Sequence, residues 1–105
     1  MSKRVKELRR ALEEKPQDPQ LLQELAFALL KVDDADGAAD VYGQLAAVHE
    51  RDGFHLKAVA MLRQAQKVRP RAAFVLRLAR LHAQLQLNGE ALAYLAQHPP
   101  TLESL

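Results

Sequence analysis

The pair Leu-Ala, followed twelve residues after its Ala by a second Ala, occurs three times: Leu25-Ala26 with Ala38, Leu45-Ala46 with Ala58, and Leu78-Ala79 with Ala91. A small residue on each of two antiparallel helices lets their axes approach closely, and the neighbouring Leu side chains then interdigitate. The recurrence predicts stacked helical hairpins, because a repeated supersecondary unit buries its apolar face only against its neighbours. Leu and Ala dominate the apolar 49%, with 5% aromatic residues and no Trp, which favours helix over strand. At 105 residues the chain is expected to form one domain over 1–105, an all-α fold without strands.

Breakers divide the sequence into about six helices joined by short connections, which makes consecutive helices antiparallel. Ser2 is the expected cap of the first, 1–16, whose apolar stripe is Val5, Leu8 and Leu12. Asp18-Pro19 reads as N-cap and first residue of the second, with Leu22, Leu25, Ala26, Leu29 and Leu30 on its apolar face. The third, about 36–51, is expected to be capped by Asp36 and ended by Gly53. The fourth spans about 54–68 and stops before Pro70. A fifth, about 72–87, is apolar over most of its circumference and is expected to be sandwiched. Asn88-Gly89 separates it from a sixth, about 90–97, closed by Pro99-Pro100. The repeat core is thus placed at 18–98, with a flexible tail at 99–105.

Within 39–70, Tyr42, Leu45-Ala46, His49, Gly53, Ala58, Leu62, Ala65 and Pro70 fall at intervals that resemble one tetratricopeptide repeat. Tyr42 stands where that family favours Trp, Leu45-Ala46 replace its Leu-Gly, and His49 replaces its Tyr. The stretch 72–97, with Leu78-Ala79, His82, Ala91 and Leu95, is similar to a second copy. Ala11 and Pro16 resemble the end of an earlier copy, and Pro19, Leu22, Leu25, Ala26 and Leu29 the start of the next. Copies beginning near Pro19 and Ala39 are twenty residues apart, and those near Ala39 and Ala72 thirty-three. The third helix therefore serves as second helix of one copy and first helix of the next, which breaks regular alternation.

The resemblance implies a short α-solenoid or compact bundle that acts as an adaptor or scaffold. In that family the first helix of each repeat lines a surface that takes an extended or helical peptide from a partner. Carried onto this chain, it implies a binding surface of Arg77, Arg80 and Gln84 on one copy, Asp40, Glu50 and Arg51 on another, and Gln23, Phe27 and Lys31 on the first. Arg80 leads, since a guanidinium holds a carboxylate by two parallel hydrogen bonds.

The formal charge of +2 hides two blocks. Between 33 and 52 stand Asp33, Asp34, Asp36, Asp40, Glu50 and Asp52 against Arg51 alone. Between 53 and 89 stand Lys57, Arg63, Lys67, Arg69, Arg71, Arg77 and Arg80 with no acid. The basic block 57–80 is either a solvated face or the seat of an acidic peptide; a nucleic-acid-associated protein is an alternative, lacking interleaved aromatics. A self-associating subunit, with the last two helices paired across a two-fold axis, is another.

Catalysis has no candidate. There is no Cys, no Gly-rich phosphate loop, and His49 and His82 stand thirty-three residues apart at equivalent repeat positions, as packing and not a two-ligand helix requires. Asp33, Asp34 and Asp36 lack the later Glu of a calcium loop, so turn and cap are their expected roles. No enzyme activity, cofactor or metal is expected, and a cytoplasmic protein without membrane insertion is.

Overall fold

The computed structural model of the protein describes residues 2–97, with side chains for 2–87 and Gly89. Five α-helices and no strand occur among them: α1 (Lys3–Glu14), α2 (Pro19–Lys31), α3 (Ala35–Arg51), α4 (His55–Val68) and α5 (Ala72–Gln97). A far-ultraviolet circular dichroism spectrum is accordingly expected to be dominated by helix. A β-sheet component as large as in mixed domains would be incompatible with this architecture.

The first three helices each have a side-chain cap at their start. Ser2 Oγ accepts from the Val5 N–H at 3.4 Å, and an Asp18 carboxylate oxygen accepts from the N–H groups of Gln20 and Leu21 at 2.9 and 3.1 Å, with Pro19 at the first turn. For α3 the expectation of Asp36 is corrected. Asp34 is the cap, accepting from the Gly37 N–H at 2.9 Å, because the preceding turn closes at Asp33 and α3 already begins at Ala35.

That turn recurs. The Asp33 and Asp34 N–H groups donate to the Leu30 and Leu29 carbonyls, and the Gly53 and Phe54 N–H groups to those of Glu50 and His49. Both are Schellman closures, which need a left-handed residue just past the helix. Asp33 (φ 60°) and Gly53 (φ 85°) supply it, and Asp and Gly adopt that conformation most readily.

Helices adjacent in sequence pack on one another, α1 on α2, α2 on α3, α3 on α4 and α4 on α5. Short connections at 32–34, 52–54 and 69–71 make these neighbours antiparallel. The core runs through the stack: Leu22, Leu25, Leu29, Leu45, Leu62 and Leu81 are the largest fully buried side chains. Ala26, Ala38, Ala46 and Ala58, the alanines of the first two Leu-Ala units, are each 0% exposed. Close helix crossings require this of small residues.

The third unit behaves differently. The expected fifth and sixth helices are one continuous helix, α5, running through Asn88-Gly89. The left-handed residue of each formed hairpin lies seven positions after the first Ala of its unit; in the third unit that position is Gln86, a poor left-handed residue. Asn88-Gly89 comes too late, two residues before Ala91, where Asp33 and Gly53 stand five before Ala38 and Ala58. A glycine within a helix costs only about 1 kcal/mol against Ala, so the helix continues. Ala79 is exposed as a result. The Ala91 side chain, Pro99-Pro100 and the tail 99–105 lie outside the described residues.

Candidate interaction surface

The first turns of α5 are held on α3. Phe74, 5% exposed, packs where Gly43 leaves room; a Cβ on Gly43 would lie 3.3 Å from the Phe74 ring. Arg71 pairs with Asp40 at 2.5 Å and with Asp36 at 3.5 Å, and Arg69 pairs with Asp36 at 2.9 Å. The hydrogen bond to Asp40 raises the Arg71 pKa, burial opposes it, and the Asp40 and Asp36 charges add to the rise. The acidic and basic blocks thus meet each other on the surface of the molecule. Such partly exposed pairs contribute little each, and they tie the α4–α5 connection to the start of α3 beside the Phe74–Gly43 contact.

Beyond this contact α5 has two opposed apolar faces. At 100° per residue, Phe74, Leu78, Leu81 and Leu85 share one side, toward the core. Ala72, Leu76, Ala79, Ala83 and Leu87 share the opposite side. All five are exposed, Leu76 at 71% and Leu87 at 66%, and Val75 beside them is 51% exposed. The expected sandwiching of this helix is therefore met on one side only among the described residues. Arg80 and Gln84, both exposed, edge the open stripe on one flank, and His82 stands on the other.

The remaining anticipated site residues fall into separate groups. Arg77 is half-buried and donates to the Gly43 carbonyl at 3.2 Å, so it is drawn onto α3 and does not continue the Arg80–Gln84 strip. Asp40 is engaged by Arg71. Glu50 is half-buried in the last turn of α3, and Arg51 pairs with adjacent Asp52 at 3.2 Å. Arg51 also borders a depression of 460 Å³ between the α1–α2 connection and α3, with Gln17, Gln44 and Ala47. On α2, Gln23 is exposed; Phe27 (50% exposed) and Lys31 border a depression of 290 Å³ shared with Arg4 and Glu24, which pair at 3.3 Å.

Sequence reasoning misses Asp36, Arg71, Gly43 and the open stripe. Their signals are present: Asp36 and Asp40 share one helical face opposite an acid-free segment, Gly43 interrupts an apolar face, and the circumferential apolarity of α5 includes a second stripe.

His49 is half-buried, edge-on to the Phe54 ring at 6.4 Å, and the Lys57 Nζ lies 4.8 Å from the centre of the same ring. Burial lowers the His49 pKa, Lys57 lowers it further, and Asp52 partly opposes. The unfolded chain therefore binds the proton more readily, so this contribution to stability is full above the ordinary value of 6.5 and is lost as pH falls toward the depressed folded value. Melting temperature is expected to fall across that window in the wild type and less in His49→Gln. Parallel pH profiles for the two would exclude His49 as the source.

Among the described residues no group of three or more His, Cys, Asp or Glu is arranged to hold a metal ion, and no helix is long and apolar enough to cross a membrane. Comparison with protein-family models, with curated proteins and with solved structures finds no match.

Proposed function

We propose that the protein is a non-catalytic adaptor or scaffold of tetratricopeptide-like hairpins that binds a partner protein along α5, an acidic segment of that partner meeting Arg80 and Gln84. The observation that carries this reading is the flank of α5, where Arg80 and Gln84 are exposed side by side and Arg80 has no partner among the described residues. Apolar patches edged by polar groups are the usual form of a protein-docking surface. Internal pairing of Arg69 and Arg71 with Asp36 and Asp40 leaves fewer free cations for phosphates, which supports a protein partner over a nucleic acid. Binding here means recognition without turnover.

The test is affinity capture with the full chain, followed by titration of the captured protein against wild type and Arg80→Glu. Loss of binding in a variant that melts like wild type supports the α5 surface. Unchanged binding rejects it.

A further inference from the structure

We infer that the open stripe of α5 is covered by α5 of a second copy, antiparallel about a two-fold axis between residues 79 and 80. The pairing brings Arg80 and Gln84 of both copies to one edge, as a doubled seat for an acidic segment. The pairing rests on the stripe itself, and the doubled seat rests on the adaptor reading above.

The stripe is complementary to its own reverse. With the axis between 79 and 80, Leu76 of one copy faces Ala83 of the other, Leu87 faces Ala72, and the two Ala79 side chains meet at the centre. Each exposed Leu thus finds an Ala, and small central residues let the helices approach closely. A parallel pair would set Leu76 on Leu76 and Leu87 on Leu87 and leave the alanine layers under-filled. Interfaces of this kind are isologous and close on themselves.

The other end of the stack argues against head-to-tail association. On α1, Lys3, Arg4, Lys6, Glu7, Arg9, Arg10, Glu13 and Glu14 are all exposed, and only Val5 and Leu8 are buried. The outward face of α1 thus has no exposed large apolar side chain to set against the α5 stripe, and Phe27 and Val32 lie only at its edge. Solenoids need a polar outer face at each end, and pairing through α5 leaves the two α1 faces outward.

Contact from 72 to 87 extends about 23 Å along each helix and would bury on the order of 1,000 Å², the lower limit for a specific interface. The dimer is therefore weak and reversible. A two-fold axis across an antiparallel pair keeps each flank on its own side, so the two Arg80 side chains converge. Their repulsion opposes pairing until salt screens it or carboxylates bridge it. Dimerisation and capture of an acidic segment then favour each other.

The chain has no Cys, so single cysteines report the register directly. In this pairing two residues 79 lie about 1.5 Å apart along the axis and two residues 72 about 22 Å apart. Under mild oxidation at micromolar concentration, Ala79→Cys is expected to form a disulfide-linked dimer rapidly and Ala72→Cys to remain largely reduced. Both positions are exposed alanines, and thermal melts check that each variant folds. Sedimentation velocity of the wild type should show reversible dimerisation that strengthens with added salt and with a poly-glutamate peptide. Arg80→Gln should dimerise more strongly than wild type and lose the response to poly-glutamate.

A wild type that stays monomeric up to near-millimolar concentration, with no cross-link at 79, would overturn the pairing and leave the adaptor reading standing. Equal cross-linking at 72 and 79 would overturn the register. Poly-glutamate binding to the monomer without shifting the dimer equilibrium would overturn the doubled seat.

Discussion

Replacing Ala46 by Leu should cost the fold about 1–3 kcal/mol, whereas the same change at Ala79 should stay within about 0.5 kcal/mol at dilute concentration. The two residues occupy the same place in their Leu-Ala units, yet Ala46 is 0% exposed and Ala79 is exposed. At Ala46 the extra methylenes must enter a close-packed core beside Leu45, itself 0% exposed, and force neighbours off their rotamers. At Ala79 they enter solvent on the open side of α5. Denaturant titrations of both variants with a common slope give the comparison. A near-neutral Ala46→Leu would mean that the hairpin crossing is looser than the burial indicates. A large loss at Ala79 would mean that the segment after Gly89 folds back onto α5, as the repeat spacing alone suggests.

The contrast marks where the sequence is legible. Alanine spacing finds the hairpin crossings of α2 with α3 and α3 with α4, since a buried small residue leaves a periodic trace. Caps at Ser2 and Asp18-Pro19 are also legible, because the geometry of a cap is set by a few adjacent residues. The third unit keeps the alanine spacing and loses the turn: Gln86 stands where Asp33 and Gly53 take positive φ. Spacing says where two helices could touch, but the residue at the left-handed position decides whether the chain reverses there. Asn88-Gly89 reads as a breaker on local preference, and continuous helical hydrogen bonding overrides a penalty of about 1 kcal/mol. The charge blocks are legible as blocks. Their meeting at Asp36, Asp40, Arg69 and Arg71 depends on how α5 crosses α3 beside Gly43, a tertiary relation that linear patterning does not carry. For the same reason the nine anticipated site residues, eight of them polar and the ninth Phe27, are legible as positions on helices but not as a surface, and Arg77 and Asp40 are engaged internally.

Arg80→Glu should weaken the complex with an acidic partner by about 2–5 kcal/mol, since it exchanges a charge-assisted contact for repulsion between like charges. Arg80 is exposed on the flank of the open stripe, away from the Phe74, Leu81 and Leu85 side of α5, so the melting curve should be preserved to within about 0.5 kcal/mol of stability. Complex formation should also decline with added salt, because exposed charges are screened over about 8–10 Å at ordinary ionic strength. Salt therefore has opposite signs on the two associations: it weakens the grip on an acidic partner and relieves the repulsion between paired Arg80 side chains. Calorimetric titration of wild type and variant with the captured partner, beside a thermal melt of each, reads both quantities. Equal affinities with equal melts would move recognition to another surface, foremost the Phe27 and Lys31 depression beside α1. A collapsed melt would make Arg80 a packing residue. Tight wild-type binding to random oligonucleotides, abolished by the same substitution, would instead assign the basic flank to phosphates, with a salt dependence set by the number of phosphates neutralised.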